Sequence, residues 1–391
     1  MSRSTSQRRK RAPRRSSLGS SAGTRSYDLA QQVGQLLVIG FDGTEMTTTL
    51  ESLLTQVRPG GVILFARNIV SAAQTHKLLK DCQALSATPL FRSVDLEGGR
   101  VDRFRNAIGP SPSAADVFAT SDKGLYRKHG RLIGDECRAM GFNVDFAPAL
   151  DLAFEASRSV MSSRAVSDDP KQVVLYAREF LRGLHDARVL GSGKHFPGLG
   201  EGKLDSHHEL PVIQKSWKKL WEQDLYPYRA LRRDLPFVMV SHGAFPAVTQ
   251  ENLPASLSRK WITGILRHKI GFRGLVISDD LEMGGVQAAL PTPQAAVEHI
   301  RAGGDIALVC HKLDYVVGAH ELLIKASEQD RKFARRVDES ARRIQAFKKK
   351  HATRLRMPPS PAEAAIQKLA RRIWEFSEQV RFETIALQEP A

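Results

Sequence analysis

The stretch KHFPGLGEGKLDSHHELP (194–211) places Lys194, His195, His207 and His208 beside the acids Glu201, Asp205 and Glu209 around a glycine-rich turn. Asp205 and His207 are two residues apart, a spacing at which an extended loop lets the carboxylate reach the imidazole. Such a pair fixes the ring tautomer and raises its basicity, which suits proton transfer near neutral pH. The same residue types also read as metal ligands through His195, Asp205, His207 and His208. No H-x-H or H-E-x-x-H spacing supports that alternative, and a solvated loop is the third reading. The glycines of PGLGEG suit a loop that bends over a ligand.

A proton-transfer pair needs a partner group, and carboxylates recur at the ends of short apolar runs. Asp95 ends PLFRSVD, Asp151 ends NVDFAPALD, and Asp279 and Asp280 end GLVISDD. Lys194 and His195 close RVLGSGKHF, and His242 closes LPFVMVSH. One acid after a strand is a common helix cap. The repetition along the chain points instead to a shared mouth. At GLVISDD, one aspartate is expected to cap the next helix. The other would face the mouth, where a carboxylate acts as nucleophile or stabilises a cation.

The elements that must position these groups form a repeating pattern. Eight apolar runs occur at 35–41, 60–68, 89–95, 143–151, 188–196, 235–242, 274–280 and 305–310, with helix-like stretches between them. Their mean step of about 39 residues suits βα units, and continuous apolar strands suit burial on both faces. Eight such units predict an α/β fold, a single (β/α)8 TIM-type barrel whose site lies at the C-terminal ends of the strands. The widest interval separates the third and fourth runs, so a large loop is expected there. Residues 335–350 read as the closing helix, MPPSP as a breaker, and 361–384 as an amphipathic helix. The expected organisation is a disordered basic arm at 1–26, the barrel at 27–355 and a helical extension at 356–391.

The chain has 391 residues and a formal charge of +16, of which residues 1–26 supply eight Arg or Lys and no acid. That arm lacks the apolar residues for a core, and it is expected to be solvated, with at most weak contacts to nucleic acid or another polyanion. It also lacks the apolar stretch of a secretory signal, so a cytoplasmic location is expected. No run of about 18 apolar residues predicts a membrane span. Cys82, Cys137 and Cys310 lie far apart, which argues against a zinc ribbon or a disulfide framework and for buried thiols.

Taken together, GGVILFARN, VDLEGGRVDRF, NVDFAPALDL, SRAVSDDP, KHFPGLGEGKLDSHHELP, VMVSHGAFP and VISDDLEMGGV resemble, in order, glycoside hydrolase family 3 and its bacterial β-N-acetylhexosaminidase branch of the NagZ type. The resemblance covers most of residues 28–350. It implies a retaining glycosidase with a covalent glycosyl-enzyme, Asp279 as nucleophile, His207 as acid/base and Asp205 as its partner. It also implies substrate contacts at Asp95, Arg103, Arg164, Lys194 and His195, with His242 expected at the same mouth. The implied substrate is a terminal β-linked N-acetylglucosamine, as in muropeptides during peptidoglycan recycling, and no metal or organic cofactor is implied; a monomer is expected. Where the family reads KHFPGHG, this chain carries Leu199. The alternatives are another family 3 glycosidase (β-glucosidase or β-xylosidase), a phosphorylase, or a non-catalytic sugar- or polyanion-binding protein.

Overall fold

The computed structural model describes residues 28–202 and 210–388. The arm at 1–26 lies outside them, as do Asp205, His207 and His208. Each of the eight apolar runs contains a barrel strand: β1 (Leu37–Ile39), β2 (Gly61–Ile63), β3 (Phe91–Val94), β6 (Val144–Asp145), β7 (Leu190–Phe196), β8 (Phe237–Val240), β9 (Leu275–Asp280) and β10 (Ile306–Val309). These strands pair in parallel and close into a barrel, with β10 returning to β1 through Leu37 opposite Ala307. Nearly every residue in them is buried, because the barrel interior packs one face and the surrounding helices the other.

The fourth run is shorter as a strand than its sequence predicts. β6 stops at Asp145, and Pro148 interrupts the ladder because it has no N–H to donate. The chain still follows β7: the Ser192 amide donates to the Ala147 carbonyl at 2.8 Å, and Ala149 bridges to Lys194. That path carries Asp151 to the mouth without a regular strand.

The long third interval contains a hairpin, β4 (Leu96–Gly98) and β5 (Val101–Asp102), then the helices Ala114–Ala119 and Lys123–Met140. Gly98 and Gly99 turn the hairpin with φ of 80° and 56°, a region that favours glycine. The helices Lys123–Met140 and Pro170–Asp186 touch backbone to backbone, since a Cβ on Gly130 would strike the Phe180 carbonyl.

The expected closing helix is present as Arg331–Lys350. Its Lys348 points into the barrel's N-terminal end, where Nζ donates to Gln35 Oε1 and to the Gly60 carbonyl, each at 2.8 Å. The last helix, Glu363–Gln388, packs on Ala114–Ala119 and Lys123–Met140 and buries Ile366, Leu369, Ile373, Phe376 and Val380. All three cysteines are buried free thiols. Among the described residues no helix is long and apolar enough to cross a membrane.

Candidate active site

At the C-terminal ends of the strands, a cavity of about 120 Å3 brings together Asp95, Arg103, Arg164, Lys194, His195 and Asp279. These six come from five separate segments of the chain, and each is a site residue expected from the sequence.

The site rests on a buried charge chain. Lys194 Nζ lies 2.7 Å from Asp95 Oδ1 and 2.7 Å from Glu97 Oε1. Glu97 also receives both prongs of Arg164, Nε to Oε2 and Nη2 to Oε1, each at 2.8 Å. Burial alone would raise the Glu97 carboxyl. The Arg164 and Lys194 cations overcome it and hold the group below the carboxylate range. Burial likewise pulls the Lys194 ammonium down, and Asp95 and Glu97 bring it back above its ordinary value. Two cations and two anions thus hold one another charged away from water, as bidentate and hydrogen-bonded pairs can.

His195 is held by Asp151. Oδ2 of Asp151 accepts from the His195 amide at 3.0 Å and lies 2.6 Å from Nδ1. Its Oδ1 accepts from the Leu199 amide at 2.7 Å. The other ring nitrogen, Nε2, sits 3.2 Å from Arg164 Nη2. A guanidinium only donates, so Nε2 accepts and Nδ1 carries the proton given to Asp151. The Leu199 side chain packs in an apolar cluster with Phe196, Ile213 and Phe245 and also reaches the cavity wall.

Arg103 reaches the cavity from the end of the hairpin. Asp102 pins that segment by accepting from the Phe104 amide at 2.9 Å and the Ser111 amide at 3.0 Å. The buried Arg103 Nε has no hydrogen-bond partner among the described residues.

Of the paired aspartates on β9, Asp279 lines the cavity and Asp280 does not. Asp280 Oδ1 caps the following turn through the Glu282 amide at 3.0 Å, and its Oδ2 lies 3.1 Å from His311 Nε2. Burial alone would raise the Asp279 carboxyl. As the carboxyl titrates in acid, positive charge on the protonated His195 and His242 rings, with the Asp280 amide and the Lys194 ammonium, outweighs it and keeps the group below the ordinary range. Asp279 is therefore an ionised carboxylate at neutral pH.

His242 follows the end of β8, beside the paired aspartates. It is fully buried at the end of β8, next to the end of β9, and is not among the residues that line the cavity. Nε2 lies 2.8 Å from the Asp280 carbonyl and Nδ1 2.8 Å from Ser256 Oγ. A carbonyl only accepts, so Nε2 carries the proton and the ring clamps the backbone next to Asp279.

Glu97 and Asp151 hold the site together; Glu97 was not among the expected site residues, and Asp151 was expected at the mouth without a role. Glu97 stands two residues after Asp95 within VDLEGGRVDRF, and that alternation is the signal that it shares a face with Asp95. Asp151 was visible as a strand-end acid, but its partner lies 44 residues away. Among the described residues no group of three or more His, Cys, Asp or Glu side chains is arranged to hold a metal ion.

Residues 28–347 match the glycosyl hydrolase family 3 N terminal domain. A β-hexosaminidase of Alkalilimnicola ehrlichii is 39% identical over 282 residues, covering 70% of this chain and 80% of that protein. The structure of a family 3 β-N-acetylglucosaminidase from Paenibacillus sp. FPU-7 superposes with a TM-score of 0.84 at 35% identity, covering 90% of this chain and 69% of that one. Native NagZ from Neisseria gonorrhoeae superposes with a TM-score of 0.67 at 29% identity, covering 79% and 97%. This chain, a (β/α)8 barrel with an ionised carboxylate at the end of its seventh barrel strand, belongs to glycoside hydrolase family 3.

Proposed function

We propose that the protein is an exo-acting, retaining β-N-acetylglucosaminidase. The observation that carries the reading is Asp279, a carboxylate held ionised at the wall of the strand-end cavity beside Lys194, Asp95, Arg103 and Arg164. The names of the similar enzymes favour an N-acetylhexosamine substrate.

In this reading an Asp279 oxygen attacks the anomeric carbon as the bond to the aglycone breaks. His207 gives its proton to the departing oxygen, and Asp205 orients the ring. His207 then takes a proton from water, which displaces Asp279 and restores the β-configuration. Asp95, Lys194, Arg164 and Arg103 hold the sugar hydroxyls. His195 stays fixed by Asp151. His242 acts through the backbone as a positioning residue. Putting substrate contacts on rigid strand ends and the acid/base on a glycine-rich loop separates binding from proton transfer.

The natural substrate is proposed to be a terminal N-acetylglucosamine of cell-wall fragments, as in peptidoglycan recycling, handled by a cytoplasmic monomer. Hydrolysis of a chromogenic β-N-acetylglucosaminide against the matching β-glucoside tests the reading. A large preference for the former, lost in Asp279→Asn, is expected. Equal rates, or a preference for glucoside, would overturn the substrate assignment. Sugar 1-phosphate formed in phosphate buffer would replace hydrolysis by phosphorolysis.

A further inference from the structure

At the opposite end of the barrel, where β8 and β9 begin, lies a larger cavity of about 720 Å3. Its walls are the loop before β8, the loop before β9, the last turns of helix Arg331–Lys350 and the segment that follows it. Six permanent cations line it: Arg232, Arg233, Arg273, Arg343, Lys350 and Arg354. Asp234 is the one acid in that lining among the described residues.

The charges do not cancel. Asp234 turns to Arg178 at 3.5 Å, outside the cavity lining, and Arg343 is answered by Asp305 and Glu339. Among the described residues no carboxylate lies within ion-pair distance of Arg232, Arg233, Arg273, Lys350 or Arg354. The C-terminus of helix Arg331–Lys350 contributes at most about half a negative charge. Lys348 and Arg92, also at the N-terminal end of the barrel, are buried against carbonyls and side-chain amides, without a carboxylate partner among the described residues. The neighbouring His351 is pushed down to about 4 by burial, then by Arg354, Lys350 and His185. A concave surface carrying five unanswered cations focuses its field and attracts counter-charge. The four arginines among them suit phosphate oxygens, which a guanidinium meets two at a time. The size falls within the range of small-ligand pockets, roughly 300–1,000 Å3.

We propose that this cavity is a binding site for a compact, multiply charged phosphate compound, separate from the glycosidase site. The probe is inorganic tripolyphosphate, titrated calorimetrically into the full chain and into an Arg233→Gln/Arg273→Gln double variant. Both side chains are exposed and make no hydrogen bond or ion pair among the described residues, so the exchange should leave the thermal midpoint unchanged. The expected result is binding that weakens roughly tenfold or more in the double variant and falls with salt. Hydrolysis of a small chromogenic substrate should be the same for both proteins. No heat and no midpoint shift with millimolar tripolyphosphate would overturn the proposal. So would binding undiminished in the double variant, which would assign the anion to the basic arm at 1–26 or another surface. If single-stranded RNA binds far more tightly than tripolyphosphate and only that binding is lost in the variant, the occupant is a nucleic acid and the small-anion proposal fails. A lysine double variant that restores binding would confirm that charge at these positions is what matters.

Discussion

Replacing Glu97 by glutamine removes one negative charge from the chain Asp95–Lys194–Glu97–Arg164. Three short polar contacts end on that carboxylate, two from Arg164 at 2.8 Å and one from Lys194 at 2.7 Å. Lys194 keeps Asp95, but Arg164 loses the one carboxylate it pairs with among the described residues and turns a guanidinium toward an amide. Breaking a buried pair by removing one partner costs about 3–5 kcal/mol. Because Lys194 retains a partner, the loss is placed at the lower end, about 3 kcal/mol, a large part of the roughly 5–15 kcal/mol that stabilises a typical protein. Urea unfolding of both proteins at pH 7 measures it. The same experiment as a function of pH checks the cause. The folded Glu97 pKa lies below its unfolded value of roughly 4.3, so its contribution is full above that pH and is lost as pH falls through the folded pKa. The gap between wild type and Glu97→Gln should therefore close on acidification. A companion Arg164→Met variant should make the double change cost less than the sum of the single ones. A Glu97→Gln protein within about 1 kcal/mol of wild type at pH 7, or a gap that widens in acid, would refute the account of the charge chain.

Lys348 supplies a second pH test in a different, alkaline window. Its buried ammonium is pushed down to about 7, so between that pH and about 10 the unfolded chain binds the extra proton and stability should rise with pH relative to Lys348→Met, by a few kcal/mol over the interval; parallel curves would show that the lysine stays charged. His207→Ala should slow glycosylation far more for poor leaving groups than for a dinitrophenyl glycoside while slowing deglycosylation for both, with Asp205→Ala a milder copy; pre-steady-state kinetics over a leaving-group series checks this, and equal losses would reject the acid role. Leu199→His should cost stability, about 1–3 kcal/mol, because the ring would enter the cluster of Phe196, Ile213 and Phe245, while the hydrogen bond from the residue 199 backbone amide to Asp151 survives; an unchanged thermal midpoint would contradict this.

The barrel was legible because its strands are buried on both faces and read as continuous apolar runs, each ended by a polar residue. The fourth run misled at its end, since NVDFAPALD looks uniformly apolar while Pro148 breaks the ladder after Asp145. The hairpin at 96–102 went unseen because it follows β3 without a breaker. Its glycines, 98 and 99, were the local clue. Asp95, Arg103, Arg164, Lys194, His195 and Asp279 all meet at the cavity, as their places at strand ends and in motifs implied. The supporting layer was less legible. Glu97 meets Arg164 across 67 residues and Asp151 meets His195 across 44, and no local pattern encodes such pairings. His242 ends its strand at the same mouth, and what the sequence did not reveal is that its ring meets the Asp280 carbonyl.

The central claim is that Asp279 becomes covalently bonded to the sugar. Incubation with an activated fluorinated N-acetylglucosaminide, followed by proteolysis and mass spectrometry, tests it directly. The account predicts one glycosyl adduct, on the peptide carrying Asp279, which forms in wild type, is absent from Asp279→Asn and accumulates as turnover stops. An adduct on any other residue, or inactivation and turnover that persist in Asp279→Asn, would contradict it.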